Sequence, residues 1–204
     1  MAVKLTKNEQ KKQKDALKQF NRYLPTLQLK KQQLQICIRQ IEADCERLKE
    51  EQRRLVDSLE PWIAVYGEDP LLKDGGLLSL VKIDHIEKGR GNIAGVEIPV
   101  FKDLSFKELD YDLRDYPLWV DRGIEALKES ARYDAMVKTL TEQVELLGKE
   151  LRTTSQRVNL FEKVKIPGAK ENIRKIAIYL GDQDTSAVVR GKIAKKKLVK
   201  EVAS

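Results

Sequence analysis

Aromatic residues make up only 6% of this 204-residue chain, histidine occurs once and cysteine twice. So few aromatics, beside 35% charged residues, suit a long solvated helical rod better than a compact enzyme with a thick core. His85 stands alone on a predicted strand, with no second histidine and no nearby cysteine to complete a metal site. Cys37 and Cys45 are separated by roughly 12 Å along one predicted helix at about 1.5 Å per residue, too far for a disulfide. Cys45 reads instead as a small core residue, and a reduced, cytoplasmic protein is expected. No apolar run approaches the roughly 18 residues of a membrane span, and MAVKLTKNEQKK lacks the apolar centre of a secretory signal. No serine or cysteine has a plausible base, and no phosphate-cradling glycine loop is present. Asp110, Asp112 and Asp115 cluster without the glycine of a calcium loop and read as a solvated acidic segment. The chain is therefore expected to be non-catalytic and to need neither cofactor nor metal.

What the chain does have is a heptad seam. Leu17, Phe20, Leu24, Leu27, Leu34, Ile38, Ile41, Cys45, Leu48, Leu55 and Leu59 recur in three-four spacing, with Lys31 and Gln52 as polar members. About six heptads of so narrow a stripe predict a coiled coil, because a period near 3.5 keeps one seam on a partner helix. A capping box at Thr6–Glu9 starts the helix and Pro61 ends it. Pro25 falls inside, and a kink rather than a stop is expected because the heptad phase runs through it. A second seam follows: Leu127, Tyr133, Val137, Leu140, Val144, Leu147, Leu151, Val158 and Phe161, with Ser130 and Thr154 polar. Pro167-Gly168 is expected to interrupt it, and a weaker helical pattern continues to the end. The polar seam positions would fix register against slippage.

Between the seams, residues 61–117 are glycine- and proline-rich. Leu78–Glu87 and Ile93–Phe101 are β-branched and partly alternating, and Gly89-Arg90-Gly91-Asn92 between them predicts the turn of a β-hairpin. Pro99 confines the second strand to an edge or ends it. The predicted fold is mainly α: a long antiparallel two-helix coiled coil of residues 1–60 and 118–204, with a compact insert over 61–117 whose hairpin spans about 78–101. Turns near residues 60 and 118 make paired positions sum to roughly 178, so Phe20 would face the neighbourhood of Val158, and about 30 C-terminal residues would overhang.

Charge is uneven. Residues 1–31 carry nine Lys/Arg against two Asp/Glu, residues 61–117 seven against eleven, and residues 189–204 six against one. Basic ends on an antiparallel pair meet at one tip and suggest an acidic partner surface or nucleic acid.

The stretch RVNLFEKVKIPGAKENIRKIAIYL, from Arg157, resembles the C-terminal signature of the D subunit of V-type and archaeal-type rotary ATPases. The matching residues are Arg157, Val158, Asn159, Glu162, Val164, Ile166 and Pro167. Gln156 and Leu160-Phe161 depart from the pattern, as does Tyr23-Leu24 where the family has Gly-His. Thr6, Leu17, Arg22 and Leu27 in the first helix and Gly95–Val100 in the insert are similar too, so the resemblance touches nearly the whole chain. It implies a central-stalk rotor subunit standing in a ring of alternating A and B subunits, with the F subunit on its side and a stalk-base subunit beneath. It implies catalysis on A at its interfaces with B, in a peripheral membrane complex that couples ATP synthesis or hydrolysis to ion transport, without direct membrane insertion and without nucleic acid. Lys4, Lys7, Lys11, Lys12 and Lys14, with Lys192, Lys195, Lys196 and Lys197, are expected to face the collar, where long-range attraction has weak angular preference. The hairpin is expected to project sideways and make a regulatory contact with F or the stalk base. A prefoldin-like chaperone is the alternative; its clients need apolar tips, and these are Lys-rich. A nucleic-acid-binding coiled coil is a third reading, but the chain lacks aromatics interleaved to stack bases.

Overall fold

The computed structural model describes residues 3–62, 80–107 and 119–202. Helix α1 runs Lys7–Leu59 and passes into a 3₁₀ turn over Glu60–Trp62. Strands β1 (Ile83–Ile93) and β2 (Val96–Phe106) form a two-stranded antiparallel sheet. Helix α2 (Val120–Leu160), a π-turn (Phe161–Lys165) and helix α3 (Ile166–Val202) follow without a break. The architecture is thus mainly α, an antiparallel helix pair with a small hairpin inserted between its helices. Leu78 and Ser79 of the predicted first strand, and Asp110, Asp112 and Asp115, lie outside the described residues.

Local chemistry accounts for the ends and the exceptions. Thr6 Oγ1 accepts from Glu9 N–H at 3.2 Å, satisfying one of the four donors a helix start leaves open. Pro25 lies within α1, which continues through it. The expected interruption at Pro167-Gly168 falls just ahead of it, as the π-turn, and the chain stays helical through Pro167 itself. Proline lacks the N–H of a regular ladder, and the chain instead widens by one residue just before it: Ile166 N–H bonds Phe161 O, and the helix resumes.

The hairpin differs from the predicted one in place and in turn. Strands pair Ile93 with Val96 and Ile83 with Phe106, and the turn is Ala94-Gly95 rather than Gly89–Asn92. Both turn residues have positive φ, 52° and 81°, as a two-residue turn that follows the strand twist requires. Asn92 Oδ1 accepts from Gly95 N–H at 3.0 Å and holds the turn from inside. The glycines that suggested a turn lie within β1. A Cβ on Gly91 would come 2.8 Å from Val100 Cγ2, so glycine there serves cross-strand packing.

The chain divides into two compact units, residues 1–31 with 153–204, and residues 32–152. In the second unit, Leu34, Ile41, Ile98 and Leu147 form a buried cluster, with Ile38, Ile93, Ala94, Val96, Leu140, Val144 and Leu151 packed against it. Two helices and the hairpin tip thus share one core. A two-stranded hairpin is marginal alone in water and gains its stability from such a face. The expectation that the hairpin projects sideways is corrected: its apolar tip lies on the helices. In the first unit, Val158, Ala169 and Ile176 are buried, and from Ala177 to Leu198 only Leu180 is less than exposed.

Candidate partner-binding surfaces

The described seam residues of α1, from Leu17 to Leu59, are each buried or half-buried, including polar Lys31 and Gln52. Leu127, Tyr133, Val137, Leu140, Val144, Leu147, Leu151, Val158 and Phe161 are buried or half-buried too. Gln52 and Ser130, two of the polar positions, face each other. Gln52 Nε2 donates to Ser130 Oγ at 3.2 Å and to Asp134 Oδ1 at 2.8 Å. In the other unit the rings of Phe20 and Phe161 lie 5.3 Å apart, tilted by 57°, and Gln28 Nε2 donates to Glu162 Oε1. Paired numbers sum to 181 for Phe20 and Phe161, 190 for Gln28 and Glu162, 182 for Gln52 and Ser130 and 186 for Gln52 and Asp134, so the pairing lies about one helical turn or more beyond the expected 178.

Periodicity alone missed a second buried stripe on α2. Ala135, Thr139 and Gln143 recur every four residues beside the seam and are buried. Gln143 Nε2 donates to the Pro99 carbonyl of β2, and Lys88 Nζ meets Glu142 at 2.7 Å. At the hairpin base, Lys128 and Arg132 lie 5.8 and 5.9 Å from the Phe106 ring centroid, within cation–π reach. Small residues at a spacing of four were the available signal, since they make room for a neighbour on a helix that already has one.

Three surfaces remain open. The first is basic and lies on two separate stretches: Lys4, Lys7, Lys11, Lys12 and Lys14 near the start of α1, and Lys192, Lys195, Lys196 and Lys197 on α3, are all exposed. Residues 1–31 carry nine Lys/Arg and two Asp/Glu and residues 153–204 carry twelve and five, so that unit has a formal charge of 21 − 7 = +14 and the rest of the chain has 7 − 14 = −7. The second surrounds the π-turn. Of the signature residues only Val158 is buried; Ile166 is half-buried, and Arg157, Asn159, Glu162, Val164 and Pro167 are exposed. The third is the outward side of the hairpin, where Arg90, Asn92 and Glu97 are exposed. A groove of about 410 Å³ also runs along α2, lined by Glu125, Lys128, Glu129, Arg132, Tyr133 and Met136; its mixed charges complement neither sign. Exposed ion pairs steady the helices: a Lys49 hydrogen bond holds the Glu46 carboxyl below its usual 4.5, and Lys175 does the same for Glu171. Among the described residues no group of three or more His, Cys, Asp or Glu could hold a metal ion, and no helix is long and apolar enough to cross a membrane.

The family model for the ATP synthase D subunit matches residues 9–196, covering both helices and the hairpin. The chain belongs to this family. It is 51% identical to the V-type ATP synthase D subunit of Borreliella burgdorferi over 199 residues, which is 98% of this chain and 96% of that one. It is 37% identical to the D subunit of Chlamydia muridarum, over 96% of each chain, and 38% identical to that of Chlamydia abortus, over 96% of this chain and 93% of the other. The family match covers the π-turn and the hairpin and most of the basic residues. The prefoldin-like alternative is not favoured.

Proposed function

We propose that this chain is the central-stalk shaft of a V-type ATP synthase, a non-catalytic subunit that transmits rotation between a catalytic ring and the membrane. The observation that carries the reading is the family match across a helix pair whose charge is divided between its two units. A shaft must resist twisting, and two packed helices resist it better than one. The end that turns in a collar must be attracted without being trapped. Exposed lysines meet that need, because attraction between separated charges falls slowly with distance and depends little on angle. In this reading the basic unit sits among the A and B subunits, F binds the side of the shaft, and a stalk-base subunit meets the other end. ATP chemistry then lies on A at its interfaces with B, and this chain stays soluble and peripheral.

Co-expression with F and an A3B3-type ring, followed by size-exclusion chromatography and an ATPase assay, tests the proposal. Co-elution, with ATP hydrolysis by the ring that changes when this chain is left out, is expected. Recovery of chaperone clients, or of nucleic acid with an affinity that falls steeply with salt, would overturn it. Replacing Lys192, Lys195, Lys196 and Lys197 together by Gln should slow assembly and flatten its salt dependence. A regulatory role of the hairpin is better tested by substituting Arg90 and Glu97 than by deletion, since deletion strips Ile98 from the core.

A further inference from the structure

Both helices break their hydrogen-bond ladders within the unit of residues 1–31 and 153–204. Pro25 lies inside α1 and has no N–H, so the Asn21 carbonyl loses its partner. Across from it the ladder loosens into the π-turn over Phe161–Lys165. Pro167 and Gly168, the two poorest helix formers, follow at once. The Phe20–Phe161 ring contact and the Gln28–Glu162 hydrogen bond bring the two defects to the same level. Burial is thin there as well. No α1 side chain from Lys7 to Lys31 is buried, and none from Asn159 to Gly168 is; Val158 and Ala169 bracket the gap.

A helix pair resists bending because each ladder bond must stretch together with its neighbours. Where both partners lose ladder bonds at one level and no buried side chain spans the gap, deformation concentrates. Low burial and weak backbone bonding are also what lower the free energy of local opening. We propose that residues 21–28 and 161–168 form one compliant joint whose two strands open together. The joint is a property of this chain and stands whether or not the chain turns as a rotor. In a rotor it would be the place where torsional load is taken up.

Hydrogen exchange on the full chain, read by mass spectrometry, tests this with the wild type, P25A and P167A. Alanine is the best helix former, so both variants restore a ladder bond without threatening the fold, and circular dichroism checks that helix content is kept. Amides of 21–28 and 161–168 should exchange on the order of tenfold faster than those of 36–46 and 138–148 on the same helices. P25A should slow exchange several-fold on both strands, including 161–168, to which residue 25 is joined only through packing; P167A should do the reverse. Equal protection in all four segments would overturn the proposal. So would a P25A effect confined to α1, which would mean two separate defects.

Discussion

Replacing Leu147 by alanine should cost roughly 4 kcal/mol of stability, and the loss should be felt in the hairpin as well as the helices. Leu147 is fully buried in the cluster that joins α1, α2 and β2. The substitution removes three carbons, worth about 2.4 kcal/mol at about 0.8 kcal/mol per buried methylene. A void on the order of 60 Å³ that the neighbours fail to fill adds about 1.5 kcal/mol. Leu146 provides the control: one position along the same helix, it is 37% exposed, and truncation there should cost under about 1 kcal/mol. Urea melts followed by circular dichroism give the difference. Exchange at the amides of Ile98 and Val100 shows whether the hairpin loosens with the helices. Equal losses for L147A and L146A would refute the shared core. So would a large loss in L147A that left hairpin exchange unchanged, because Ile98 would then not depend on the cluster.

Gln52→Ala should destabilise by about 1–2 kcal/mol, since two hydrogen bonds to the facing helix go with it; Gln52→Leu should restore the melting point but loosen register, seen as a second set of cysteine cross-links. Gly91→Ala should cost about 1–3 kcal/mol, because its methyl group would press on Val100, and the melt of a hairpin-reporting probe measures it. Lys49→Met should raise the Glu46 midpoint toward 4.5, followed by carbon NMR, because the hydrogen bond from Lys49 is the main cause of its depression. The sign for stability follows: with the folded carboxyl lowered, the small gain is present above pH 4.5 and fades as pH falls through the folded value.

The rod was largely legible because heptads report burial directly; its register was not, and the pairing lies about one helical turn beyond the expected one. From Leu17 to Leu59 one stripe is apolar, and a stripe that long has to meet a partner. The helix start at Thr6 was equally plain, since a capping side chain needs only local spacing. Glycine misled in the hairpin. It signals positive φ in a turn and also close approach within a strand, and only the register separates Gly95 from Gly91. Proline misled at Pro167, where a one-residue widening absorbs the missing donor, an option no spacing rule reveals. The hairpin's resting place was illegible for a different reason. Ile98 and Val96 advertise an apolar face, but which helix stripe covers it depends on Ala135, Thr139 and Gln143, residues too small or too polar to count as apolar. The open surfaces were partly legible: their charge could be counted, but the exposure of Arg157 and Asn159 and the burial of Val158 between them required coordinates.

Pro99 bears on the life of the chain before it joins anything. A two-stranded sheet offers two raw borders on which stray strands can nucleate. On β2 the border residue has no N–H to give, and Gln143 already occupies its carbonyl. Pairing is thereby hindered at that point of β2, and a newcomer on the other border meets Lys88 and Arg90. A freshly made chain whose helix is exposed from Ala177 to Leu198, Leu180 apart, has apolar surface to spare; its sheet at least does not invite company.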